Sequence, residues 1–297
     1  MKTSVAESAE DLSLLFPDNR REGETVLRQA QLVMLRMLRV IDHICRKHGI
    51  RYWLCSGTLL GAVRYKGFIP WDDDLDISMM REDYEKFLRI APSELPADLF
   101  LQTRESDPDY DYLPLPCKLR DLNSLIIALG QENKKYARGL FVDIFPMDRY
   151  HKKHHPAYLF ERTVKWCNNF ICRGLDAEFY KHQSRKSLFL SFFKPLFYIL
   201  KRLYDKIARR KIEANKSLTD GNCLIGRGLD IIWYEFFAYD EIFPLTETEF
   251  EGGFYYAPHN KAAYLTRFYG KNYMTPPPAE KRHPGHSVVL KPILEKE

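Results

Sequence analysis

Four carboxylates fall within five residues of an otherwise apolar run. The stretch is "GFIPWDDDLDISM", residues 67 to 79, with Asp72, Asp73, Asp74 and Asp76 flanked by Phe68, Ile69, Trp71, Leu75, Ile77 and Met79. Flanks of this kind read as a half-buried strand, where unpaired carboxylates are costly. Strand alternation sends Asp72, Asp74 and Asp76 to one face and Asp73 and Leu75 to the other. Side chains at i and i+2 stand roughly 6 to 7 Å apart at their Cα atoms. Two ionised carboxylates so placed repel, and one is driven toward protonation unless a cation lies between them. Hard oxygen donors select Mg²⁺ or Mn²⁺, which are often shared with substrate phosphates. Asp74 and Asp76 are therefore candidate metal ligands.

The residues ahead of this strand narrow the chemistry. "IRYWLCS" reads as a strand, and "GTLLGAVRYKG" as a turn running into a helix. Amides and hydroxyls at Ser56, Gly57 and Thr58, with a helix N-terminus behind them, suit a phosphate. Gly61 lets the helix pack closely. Arg64 lies on the same helix. A third carboxylate, Asp143, sits alone in the apolar run "GLFVDIFPMD", where a buried Asp needs a partner. "LPCKLRD" puts Lys118 and Arg120 at alternate positions, hence on one strand face. The basic loop "KRHPGH", with His283 and His286, is a further candidate for substrate contact. A Gly-Ser/Thr turn, one helix, then a paired-Asp strand and a later carboxylate is the order found in nucleotidyltransferase-fold enzymes.

The whole chain supports a large packed domain. It has 297 residues, 45% of them hydrophobic and 14% aromatic, which excludes global disorder. A net charge of +5 suits anionic partners, but basic and acidic residues are interleaved and no nucleic-acid motif appears. Six scattered cysteines without ligand spacing read as free thiols in a reducing compartment. The N-terminus lacks a secretory pattern, and no run approaches the roughly 20 apolar residues of a membrane span. The expected location is cytoplasmic, or peripheral on the inner face of the membrane.

Helix, strand, helix, strand, helix and then several strands argue for an α+β fold on a small mixed sheet. Residues 1–22 read as a flexible tail, and residues 23–150 as the catalytic core. Residues 151–220 form a helical segment whose basic and aromatic part, 184–211, suits an anionic membrane surface. Residues 221–297, irregular in pattern, complete the substrate site.

Three blocks, "YWLCSGTLLGAVRYKGFIPWDDDLDISM", "GLFVDIFPMD" and "YLTRFYGKNYMTPPPAEKRHPGH", closely resemble the signature of the LicD family, in its order. That family is similar to fukutin and fukutin-related protein. The resemblance implies a nucleotidyltransferase-like core, with Asp74, Asp76 and Asp143 as catalytic metal-binding triad and Mg²⁺ or Mn²⁺ as cofactor. It implies transfer of phosphocholine, or another phospho-alcohol, from CDP-choline or a related CDP-alcohol to a glycan hydroxyl. The acceptors it implies are teichoic acid or lipopolysaccharide, lipid-linked in some bacteria. Ser56, Gly57, Thr58, Arg64, Lys118, Arg120 and His283 are the expected substrate contacts. A nucleotidyltransferase adding a nucleotide to a small molecule is the alternative, as is a CDP-ribitol-type phosphotransferase.

Overall fold

The computed structural model describes residues 11–110, 115–128, 132, 134–175, 194–285 and 287–294. Its central feature is β6 (Phe141–His151), an eleven-residue strand that serves two sets of neighbours. Its first half pairs in parallel with β2 (Asp76–Met80) and antiparallel with β4 (Lys118–Asp121). Its second half pairs antiparallel with β7 (Cys223–Arg227), which in turn carries β8 (Phe236–Ala238). β1 (Tyr52–Leu54) extends the sheet beyond β2, and β3 (Leu99–Gln102) beyond β4. The sheet is mixed and the fold α+β, as the order of elements implies.

Helices cover this sheet for reasons visible in their sequences. α1 is a single turn, Leu12–Leu15. α2 (Val26–His48) starts where the Thr25 side chain accepts from the Arg28 amide, and stops at Gly49, which is left-handed. Its buried stripe includes Met34, Met37, Leu38 and Ile41, and it packs on β4 and β6. α3 (Ser56–Tyr65) and α4 (Arg81–Ile90) pack on β2. A Cβ on Gly61 would stand 2.4 Å from the Gly67 carbonyl oxygen, so only glycine lets α3 cross this close to the chain entering the acidic stretch.

α5 (Pro156–Leu175) and α6 (Lys194–Asn215) lie side by side against β6. They share a smaller core that includes Tyr150, Val164, Ile171, Tyr204 and Ala208. After a one-turn helix, α7 (Tyr239–Ile242), come the hairpin β9 (Thr246–Phe250) and β10 (Gly253–Ala257). α8 (Lys261–Tyr269) follows and leans on α3. Finally β11 (Ser287–Lys291) pairs with β5 (Leu125–Ala128). Among the described residues, no helix is long and apolar enough to cross a membrane.

Three expectations change. The stretch from residue 11 to 22 is not a loose tail: Leu12 is buried, and the Arg20 guanidinium is buried on Asp121 and the Pro292 carbonyl. An apolar anchor and a charge with fixed acceptors hold it. Regular β2 begins only at Asp76, so Asp72, Asp73 and Asp74 belong to the approach rather than the strand. The C-terminal part is far from irregular, since it supplies two strands to the central sheet and one to β5. Residues 184–193 and His286 lie outside the described residues.

Candidate active site

The parallel pairing of β2 with β6 sets Asp76 directly beside Asp143. Neighbouring strands stand about 4.8 Å apart, so the two carboxylates emerge as neighbours. One residue earlier the ladder already holds, because the Leu75 carbonyl accepts from the Asp143 amide at 2.8 Å. Leu75 and Asp73 are fully buried. Alternation therefore reaches back past the regular strand, with Asp74 and Asp76 away from Leu75. Thr58 locks this corner: its hydroxyl accepts from the Asp76 amide at 2.8 Å. The Asp76 carbonyl in turn accepts from the Cys55 amide at 3.2 Å. Thr58 is thus a buried clamp on the backbone of an aspartate, a role the phosphate-turn reading did not anticipate.

Charge is poorly balanced here. Burial pushes the Asp76 carboxyl well above the usual carboxylate range, and Asp74 and Asp143 push it further. Arg227 and Lys118 act against that rise. The Asp72 carboxyl is raised to about 7, by burial first and then by Asp76 and Asp73, while a hydrogen bond with Asp74 opposes the shift. Gly57 gives Asp72 its room: a Cβ there would lie 3.0 Å from Asp72 Oδ2. The hydroxyl of Tyr269, at the end of α8, is raised by burial and then by Asp76, Asp72 and Asp74, which sets it close to the same cluster.

The cations divide into two kinds. Lys118 faces Asp143 across the β4–β6 ladder, and its ammonium pairs with the Asp143 carboxylate. The same ammonium sits 3.6 Å from the centre of the Phe141 ring. Burial holds its pKa below the normal lysine range. Arg120 shares that strand face, as alternation requires, and lies over Phe141 at 4.9 Å. Its donors are taken by Gln102 Oε1 and the Gly139 carbonyl, each at 2.7 Å, so it braces the sheet.

Arg227 is the residue that sequence reasoning missed. It ends β7, is buried, stacks 3.8 Å over Phe145, and donates from Nη2 to Ser56 Oγ at 2.8 Å. Ser56 adopts φ +48°, a left-handed backbone unusual for a non-glycine residue. A buried cation thus comes to the turn at the start of α3 from a segment 171 residues away. One Arg closing a short strand carries no local signal that would have found it.

Asp73 has a different task from its neighbours. Its carboxylate accepts from the Ser287 amide at 2.9 Å, the Ser287 hydroxyl at 2.5 Å and the Gly285 amide at 3.3 Å. That pins the proline-rich closing loop beside the acidic approach. Arg64 holds the loop's other end by donating to the Thr275 carbonyl at 3.1 Å. Arg282 lies over Trp71 at 5.5 Å. His283 sits exposed in this loop, its Nδ1 3.1 Å from the Pro284 carbonyl. Asp148, downstream on β6, serves structure: it takes a bidentate pair of bonds from Arg81 and one from the Leu229 amide.

Asp74, Asp76, Asp143 and neighbouring Asp72 form a hard-oxygen donor set, and the raised carboxyls of Asp72 and Asp76 mark a place where a divalent cation would relieve repulsion. The donors fit such an ion by chemistry. They are not a preformed cage: among the described residues no three acidic, His or Cys side chains are gathered to ligand distance, and Lys118 stands on Asp143.

Comparison with known proteins decides the family. A family model described as LicD/FKTN/FKRP, nucleotidyltransferase domain, matches residues 49–184. Over 268 residues the chain is 30% identical to the lipopolysaccharide cholinephosphotransferase LicD of Haemophilus influenzae, covering 88% of this chain and 96% of that protein. The chain belongs to the LicD family. The chain is also similar, over a shorter stretch, to the human ribitol 5-phosphate transferase FKRP: 44% identical over 45 residues, 15% of this chain and 9% of that protein. The match to residues 49–184 contains every element that carries the four aspartates and Lys118. Arg227, α8 and the closing loop lie beyond it.

Proposed function

We propose that this LicD-family phosphotransferase moves phosphocholine from CDP-choline to a sugar hydroxyl of a cell-surface glycan, releasing CMP. Lipopolysaccharide and teichoic acid are the acceptor classes in view. The observation that carries the reading is the Asp76–Asp143 pairing beside the α3 turn, in a chain related over nearly its full length to a cholinephosphotransferase. In the reaction the acceptor oxygen bonds to the phosphorus that bears the alcohol. The bridging P–O bond of the diphosphate breaks, and CMP leaves with the bridging oxygen.

Asp143 takes the acceptor's proton, held in place by Lys118. The α3 turn at Ser56 and Gly57, backed by Arg227, binds phosphate oxygens and offsets their charge. Thr58 keeps Asp76 in position. Mg²⁺ or Mn²⁺ bound by Asp74, Asp76 and Asp143 would neutralise charge on the diphosphate and the leaving group. A cytoplasmic setting accords with six cysteines that are all free thiols.

The FKRP likeness favours one second reading, a phospho-ribitol donor. Incubation of the purified chain with Mg²⁺ and a panel of CDP-alcohols separates them. CMP release that is fastest with CDP-choline, together with phosphocholine on the glycan, is the expected result. Preference for CDP-ribitol would replace the donor. Pyrophosphate release from CTP, with no CMP from any CDP-alcohol, would sink the proposal in favour of a nucleotidyltransferase.

A further inference from the structure

α5 wears its polarity inside out. Glu161, Lys165 and Asn168 face inward with no exposed surface, while Leu159 is 72% exposed, Phe160 53% and Trp166 62%. The inward polar groups have a structural reason. Glu161 accepts from the His151 amide at 3.0 Å and from Asn215 Nδ2 at 2.8 Å. Lys165 donates to the carbonyls of Arg227, Gly228 and Ile231. Among the described residues the outward apolar groups stay exposed, with the Trp166 ring stacked on Phe170 at 6.1 Å.

α6 repeats the pattern. Leu196, Ile199, Leu203 and Ile207, spaced three, four and four apart, form an exposed stripe along one side. Beside it run Arg202, Lys206, Arg209 and Arg210, all exposed. Of the acids on α6, Asp205 is tied to Lys201 at 2.6 Å, and Glu213 lies in the last turn. The two helices pack on each other, with the partly exposed Phe170 ring edge-on against the buried Phe197 at 5.6 Å.

An apolar stripe bordered by a row of bases fits one kind of surface: acyl chains beneath anionic headgroups. A second copy of the chain fits badly, because a two-fold interface would set the basic rows against each other. We propose that the outer face of α5 and α6 docks on an anionic phospholipid bilayer. Leu196, Ile199, Leu203 and Ile207 enter the headgroup boundary together with Trp166, and Arg202 and Lys206 bind lipid phosphate. This extends the sequence expectation for 184–211 to α5, whose exposed face that expectation left out. The buried side of α5 holds the end of β7 through Lys165, so docking fixes the orientation of Arg227 and the acidic cluster to the membrane plane.

The inference stands on this surface alone and needs no turnover. The full chain is sedimented with phosphatidylcholine vesicles that contain or lack phosphatidylglycerol, at low and high salt, with tryptophan fluorescence as a second readout. Binding to the anionic vesicles, at least roughly tenfold weaker at high salt, and a blue shift absent in Trp166→Phe are expected. Ile199→Ser/Leu203→Ser and Arg202→Glu/Lys206→Glu should each weaken binding by at least about tenfold with unchanged circular dichroism. Asp76→Asn should bind as the parent chain does, which separates this test from the transfer reaction. No binding to anionic vesicles, equal binding to neutral ones, or double variants that bind like the parent chain would each overturn the proposal. So would a dimer in light scattering that Ile199→Ser/Leu203→Ser disperses, since the face would then belong to a second copy.

Discussion

At the scale of single residues, four adjacent-looking aspartates do three different jobs. Asp76 stands beside Asp143 with Asp74 close to it, Asp72 lies against Gly57, and Asp73 ties down a distant loop. Asp76→Asn should therefore lower transfer by roughly a thousandfold or more while leaving the fold intact. Mg²⁺ should raise the melting temperature of the parent chain, since a ligand bound to the native state stabilises it by mass action, and the same substitution should abolish that rise. Differential scanning fluorimetry with and without a chelator checks this. Arg227 calls for a graded comparison. Arg227→Lys keeps the charge but loses the planar fork over Phe145 and the reach to Ser56, so kcat/KM for the donor should fall by roughly ten- to a hundredfold. Arg227→Met should fall further, and equal losses in both variants would argue for a packing role alone.

At the scale of elements, the acidic strand, the helix before it and the strand of Asp143 were legible because each is announced locally, by alternation, a glycine turn and apolar flanks. Lys118 and Arg120 were legible as a shared face. Their separate duties were not, because these depend on Gln102 and Gly139, which only the folded sheet brings near Arg120. β7 escaped notice since it is only five residues long and contains Gly226, although the Asp220-Gly221 turn announces a break before it. α5 illustrates the same limit in reverse: its helical period was visible, but which face pointed inward was not. Lys165 decides that. Lys165→Met should remove the donor from three carbonyls and cost about 2–4 kcal/mol, measured by urea unfolding. A change below about 0.5 kcal/mol would mean that α5 is held by its apolar contacts instead.

At the scale of the whole molecule, segments far apart in sequence close on one sheet. Arg20, near the beginning, reaches Asp121 on β4 and the Pro292 carbonyl after β11, which binds the N-terminal turn, the sheet and the C-terminal strand in one buried ion cluster. Arg20→Ala leaves Asp121 buried without its guanidinium, and should lower stability by about 3–5 kcal/mol. Equilibrium denaturation should register that loss as an earlier midpoint, and an unchanged midpoint would dismiss the cluster as a stabilising element.

The bonds of Asp73 to Gly285 and Ser287 span 212 and 214 residues. They have a consequence for the order in which the protein is made. While the ribosome is still translating, the acidic approach exists without its anchor, and Ser56 waits for Arg227. The nascent chain therefore holds its acidic approach long before it holds the partners of Asp73 and Ser56. Asp73 gains these partners only when Gly285 and Ser287 have emerged and the loop clasps it. A chain stalled before that point would carry the signature motif without the bonds that hold Asp73.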